Sequence, residues 1–172
     1  MPEKKHFLDN SSEYFHTLHL VFYLMVSIPL ILFCLVYLDH MKQGGLSANL
    51  GFSGLHALVT LGVIFASGMA YFSYRQRYRH YNASVSFRER LRFFHQTAWR
   101  KYGWLEVANL LPVLGLYLLA EQFFVGVYAV ALVLFSINRP TFARVADDLQ
   151  LDDAERTQLA SGQDFDQDKH AS

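Results

Sequence analysis

The chain has 172 residues, 52% of them hydrophobic and 16% aromatic, and its acidic and basic residues cancel to a formal net charge of zero. That length holds one domain and no more, and the apolar content is high for a soluble protein. A single cysteine, Cys34, excludes an internal disulfide and a cysteine-based metal site, and its place within an apolar run reads as a small packing residue. The zero net charge is a sum of two biases. Basic residues dominate 74–101 and acidic residues dominate beyond Asp147, so the distribution of charge carries more meaning than its total.

Residues 1–16 are polar and mixed in charge, and read as a cytoplasmic N-terminal segment. The first apolar run, Leu18 to Leu38, is interrupted only by His19, Ser27 and Pro29. It is too long for the core of a cleaved signal peptide, and at 1.5 Å per residue it matches a hydrocarbon layer about 30 Å thick. A transmembrane helix over about 17–38 follows, kinked at Pro29. The linker Asp39–Ser53 carries Gly44, Gly45 and Gly51 and a single basic residue, Lys42. A second span covers 54–74, in which Gly62, Ala66 and Ala70 recur at every fourth position and allow close helix packing.

Residues 75–101 change character. Arg75, Arg77, Arg79, Arg88, Arg90, Arg92, Arg100 and Lys101 face one acid, Glu89. Ser86 followed by Glu89 reads as a capping box that starts a helix near Phe87. Leu91, Phe94, Ala98 and Trp99 line its apolar face, so a basic amphipathic helix over 87–101, lying in the headgroup layer, is expected. The last apolar stretch, Trp104 to Ile137, exceeds one crossing and breaks at Glu121-Gln122. Two short spans, 103–120 and 122–138, joined by a tight turn, account for it. Asn138-Arg139-Pro140 stops the fourth. Residues 142–172 form an acidic cytoplasmic tail with a short helix over Asp152–Leu159 and disorder from Ser161 onward.

The fold class that emerges is all-α and integral to a membrane, with four transmembrane helices and a cytoplasmic basic amphipathic helix between the second and third. Orientation follows from arginine and lysine near the helix ends. The 75–101 segment, Lys4-Lys5, Arg139 and Arg144 fall on one side, which places both termini in the cytoplasm and the Glu121-Gln122 turn outside.

Glu106 is the one carboxylate within an apolar run, and Asn109 follows one turn later, with Pro112 a further three residues on. An ionisable residue at such a place marks an ion path or a polar contact between helices. Near a helix start it also serves as an interfacial anchor, favoured by the macrodipole or paired with an arginine. The histidines raise a haem or quinone reading: His16 and His19 share a face, His56 starts the second span at the opposite surface, and His95 lies in the basic segment. Haem ligation needs two of them at matching depth on different helices, and the spacing does not require it. Interfacial histidines are the simpler account. The arginine run abuts two spans, which favours anionic lipid headgroups over nucleic acid, and the acidic tail on the same side is able to fold back on it. No nucleophile–base pair, phosphate loop or zinc motif occurs, so no enzyme activity, cofactor or metal is expected.

Ser86-Phe87-Arg88-Glu89-Arg90-Leu91, Leu105-Glu106, and Asn138-Arg139-Pro140-Thr141 leading to Asp148-Leu149-Gln150-Leu151 and Glu155 resemble a group of uncharacterised four-helix membrane proteins of Bacteroidota-type bacteria. The resemblance covers roughly residues 84–159. It implies the four-crossing layout and a bacterial inner membrane, and brings no activity with it. A thinner similarity, to the proteolipid subunits of rotary ATPases, rests on a glutamate in a helical hairpin. The first helices here lack that family's glycine ladder, so its role is not carried onto Glu106. The expected function is that of a non-enzymatic multi-pass protein, an accessory or scaffold subunit of a membrane complex, whose partners are anionic lipids and further copies or other membrane subunits. The alternatives are an ion- or proton-coupled transporter using Glu106, and a haem- or quinone-binding redox subunit.

Overall fold

A computed structural model describes residues 11–47, 53–79, 87–153 and 155–157. Five helices follow in chain order: α1 (Ser11–Lys42), α2 (Gly54–Arg79), α3 (Phe87–Leu119), α4 (Gln122–Ile137) and α5 (Phe142–Asp148). Among the described residues α1, α2 and α3 are long and apolar enough to cross a membrane, and α4 with α5 makes a fourth candidate bent by 69°. The Ser86 cap and the tail from 158 onward lie outside the described residues.

α3 is the central element, and α1, α2 and α4 each pack along it. Its contact with α2 is the closest. Ala66 and Ala70 are buried, and a Cβ added at Gly62 would sit 2.9 Å from the Leu111 side chain. The small residues of α2 therefore serve contact with α3 of the same chain. Val63, Ala66, Ala108 and Ala131 form the middle layer of this core. Outward from it the helices present Leu24, Ile31, Leu35, Leu61, Ile64, Leu114, Leu118, Val130 and Val133, an apolar belt suited to lipid rather than water.

The basic helix expected over 87–101 and the span expected over 103–120 are not separate elements: Phe87–Leu119 is one continuous helix through Gly103 and Pro112. At 1.5 Å per residue its length of 33 residues is about 50 Å, well beyond the hydrocarbon thickness. The apolar face of its first half does not lie open to a headgroup layer. Leu91, Phe94 and Ala98 are buried in a core with Leu18 and Phe22 of α1, Val145 and Ala146 of α5, and Leu149 and Leu151 beyond it. Trp99 alone of the expected apolar face stays exposed. The physical reason lies in the tail, which is acidic overall, yet its Val145, Ala146, Leu149 and Leu151 cover that face. Residues 153 and 155–157 are helical, within the span expected to be helical over Asp152–Leu159, and the Asp152 side chain accepts from the Glu155 amide at 2.7 Å.

At the other end α3 stops at Ala120, whose φ of 51° closes the helix in a left-handed residue, and α4 begins at Gln122. The linker from α1 turns at Gly44 and Gly45, both at positive φ, where a side chain would be strained. It then lays Ser47 beside this turn. The Ser47 amide donates to Ala120 O at 2.8 Å, and the Gln122 amide donates to Ser47 O at 3.2 Å.

Candidate intramembrane polar site

Asn109 lies on a stripe of α3 that faces both α1 and α4. Two turns before it, Tyr102 packs edge-on to Phe22 of α1 (5.6 Å between centroids) and stacks with Phe135 of α4 (6.1 Å). Two turns after it, Leu116 joins Phe33 of α1 and Phe124 of α4 in a second apolar cluster. Asn109 thus occupies the three-helix seam between two aromatic layers, where it is 1% exposed. Its amide nitrogen is satisfied within α3, donating to Leu105 O at 2.8 Å, and its Oδ1 has no partner.

Two further unpartnered oxygens lie within the bundle. Glu106, one turn earlier on α3 and part-buried, has its Oε2 enclosed without a hydrogen bond. Tyr128 of α4 is buried, its ring stacked on Phe33 at 4.2 Å, and its hydroxyl is likewise without a partner. Pro29 and Pro112, both fully buried, have no N–H to give the carbonyls of Met25 and Ala108. Buried polar groups are normally paired, and an unpaired one in a close-packed interior costs about 1–3 kcal/mol. Each of these oxygens, inside a helix fit to span a membrane, is therefore a candidate polar contact. Sequence reasoning found Glu106 and Asn109. It missed Tyr128, whose signal was only a tyrosine in the middle of an apolar span.

The end of the bundle remote from the basic segment carries a second polar cluster that the sequence reading did not assemble. His56, in the first turn of α2, is bonded through Nε2 to Glu121 of the α3–α4 turn, and both are almost wholly buried. The Ser53 amide donates to His56 Nδ1 at 3.1 Å, so Nδ1 carries no proton and Nε2 is the donor to the carboxylate. Ser53 Oγ lies 2.7 Å from the same Nδ1. The His56 ring stacks on Phe124 at 5.1 Å and meets Phe123 edge-on at 4.8 Å. The available signal was Ser53 three residues before His56, a capping-box spacing with histidine in the acidic position.

The remaining histidines have separate roles. His19 donates to Pro140 O at 3.0 Å, His95 accepts from Trp99 at 3.2 Å, His16 is exposed, and His40 Nε2 is buried without a partner. Among the described residues no three of His, Cys, Asp and Glu cluster as a metal site would.

At the basic end, Arg90 is buried in an ion pair with Glu155, and the Tyr74 hydroxyl donates to Asp148. Lys101 lies 4.5 Å over the Tyr74 ring, and Arg156 pairs with Asp147 at 2.9 Å. Arg90 and Lys101 are therefore turned onto the protein. Arg75, Arg92 and Arg100 are exposed, and Arg77 lies over Phe93 at 6.0 Å. Arg79 is the last residue of α2 and Arg88 the second of α3. Arg144 closes α4 by donating to Ile137 O at 2.9 Å, and Arg139 sits 5.5 Å over Tyr23.

This geometry defines an all-helical protein with three to four helices fit to span a membrane. No protein-family model, no curated protein and no solved structure matches the sequence.

Proposed function

We propose that this chain is a non-enzymatic, four-crossing protein of a bacterial inner membrane that serves as an accessory or scaffold subunit of a membrane complex. The observation that carries the reading is the folded platform at the basic end. The first half of α3 projects beyond the apolar belt, and α5 with Leu149, Leu151 and Glu155 closes over it around an apolar core in which Leu91, Val145, Ala146 and Leu149 are fully buried. A helix that merely rested on headgroups would leave that face to lipid. A packed, ion-paired platform is instead a rigid surface for a partner, with charges of both signs at Arg92, Arg100, Asp152 and Asp153 exposed on it.

In this reading the platform is cytoplasmic, since the basic flanks gather there, and α4 with its following bend supplies the fourth crossing. Arg75, exposed near the end of α2, contacts anionic headgroups at the rim, contributing about 1 kcal/mol. Native mass spectrometry of the protein released gently from its own membrane tests the proposal. A heavier assembly containing other chains is expected, and a bare monomer would contradict it.

A second reading is ion- or proton-coupled translocation, favoured by the unpartnered oxygens of Glu106, Asn109 and Tyr128. It requires a pH- or ion-dependent flux in proteoliposomes that Glu106→Gln abolishes, and no flux above empty vesicles would remove it.

A further inference from the structure

We propose that Ser53 is an activated nucleophile that takes up an acyl group from a lipid ester, with His56 as its base and Glu121 as the carboxylate that holds the imidazole. The transfer is stoichiometric, so it goes beyond the accessory-subunit reading and does not rest on it.

The three side chains form one hydrogen-bonded array. Ser53 Oγ lies 2.7 Å from His56 Nδ1, and His56 Nε2 is bonded to Glu121. The Ser53 amide donates to the same Nδ1 at 3.1 Å, so that nitrogen carries a lone pair and the ring proton sits on Nε2. The Ser53 hydroxyl therefore donates to a base whose far side is held by a carboxylate. This is the relay of a serine hydrolase with the two ring nitrogens exchanged. Burial divides the roles. His56 is 2% exposed and Glu121 6%, with Phe124 stacked on the ring and Phe123 against it edge-on, whereas Ser53 is exposed. The nucleophile is thus the member of the array that a substrate reaches. Capping of α2 would be complete with Ser53 and His56 alone. Glu121 comes to the same ring from the α3–α4 turn and supplies the charge that an imidazolium needs.

Position sets the class of donor. Ser53 immediately precedes Gly54, where α2 begins, so it lies where a span meets the membrane surface. Ester carbonyls of glycerolipids occupy that boundary between headgroup and hydrocarbon. In the step, Ser53 Oγ bonds to the ester carbonyl carbon as its proton passes to His56 Nδ1, and the Ser53 amide gives up that acceptor. Glu121 balances the imidazolium. The tetrahedral intermediate then collapses. The bond from the carbonyl carbon to the donor's alkoxy oxygen breaks, and that oxygen leaves with the proton from Nδ1. The products are an O-acyl serine and the donor's alcohol, and nothing is oxidised or reduced.

The test reconstitutes the purified full chain in phosphatidylethanolamine vesicles with isotopically labelled acyl chains, and also exposes it there to a fluorophosphonate. Peptide mass spectrometry locates both adducts. The labelled acyl group and the phosphonyl group are both expected on Ser53. Neither is expected on Ser47, which is exposed at the same end and whose hydroxyl is bonded to Ala120 O instead. His56→Gln slows phosphonylation about a hundred-fold. Because His56 also ties the cap together, Glu121→Gln decides the matter if that variant fails to fold. It keeps an oxygen acceptor for Nε2, removes only the charge, and slows the reaction about ten-fold. Adducts at Ser53 no faster than at Ser47, no labelled acyl group on Ser53, or an unchanged rate in either folded variant would overturn the proposal.

Discussion

His56 and Glu121, 65 positions apart, meet in a nearly solvent-free hydrogen bond that ties the start of α2 to the turn between α3 and α4. With Ser47 bonded to Ala120 and Gln122 in the same place, the two loops at this end are locked into one cap. Removing one partner strands the other. His56→Ala is expected to destabilise the bundle by about 3 kcal/mol, because the Glu121 carboxylate remains buried alone. The double variant His56→Phe with Glu121→Leu removes both polar groups and recovers most of that loss. Reversible unfolding in mixed micelles measures both, and additive losses would show that the pair is not coupled.

Phe124 is pinned between His56 and the α3 backbone. A Cβ at Gly115 would meet its ring at 2.5 Å, and the ring is fully buried. Gly115→Ala should therefore cost about 1–3 kcal/mol through overpacking. Gly126, with open space around its position, provides the control, and its alanine variant should be neutral or slightly stabilising. The same unfolding assay separates them, and equal effects at the two glycines would contradict the packing described.

The platform makes its own prediction. Arg90 is paired with Glu155 across the face that α5 covers. Reversal of either charge alone should loosen the tail, while Arg90→Glu combined with Glu155→Arg should recover about 1 kcal/mol or more relative to the sum of the single changes. Limited proteolysis after Pro140 reports the loosening, and a double variant as susceptible as the worse single one would argue against the contact.

Much of this architecture is legible in the sequence. Apolar runs of span length set α1, α2 and the two-helix hairpin, and Glu121-Gln122 marked the turn because a charged pair interrupts a uniformly apolar stretch. Two things were not legible. Gly103 looked like a break, yet a single glycine costs only about 1 kcal/mol in a helix, and the packing of Tyr102 and Leu105 on α1 and α4 carries α3 through it. The fate of the Leu91–Phe94–Ala98 face depended on which surface would cover it. A periodic apolar face looks the same whether lipid or protein lies against it. The covering residues, Val145, Ala146, Leu149 and Leu151, are few, and are interspersed with Asp147 and Asp148. Glu106 and Asn109 stand out by residue type, while Tyr128, a tyrosine within an apolar span, gives no such signal although its hydroxyl is buried without a partner.

The proposed role of the platform at the basic end is to dock another protein. A photo-crosslinking residue placed at Gln96 or Asp153, both exposed on the platform, and at Val130 on the apolar belt, tests it in living cells. The account predicts a discrete adduct with a second protein chain from Gln96 or Asp153, and lipid adducts alone from Val130. Lipid adducts alone from all three positions would contradict it.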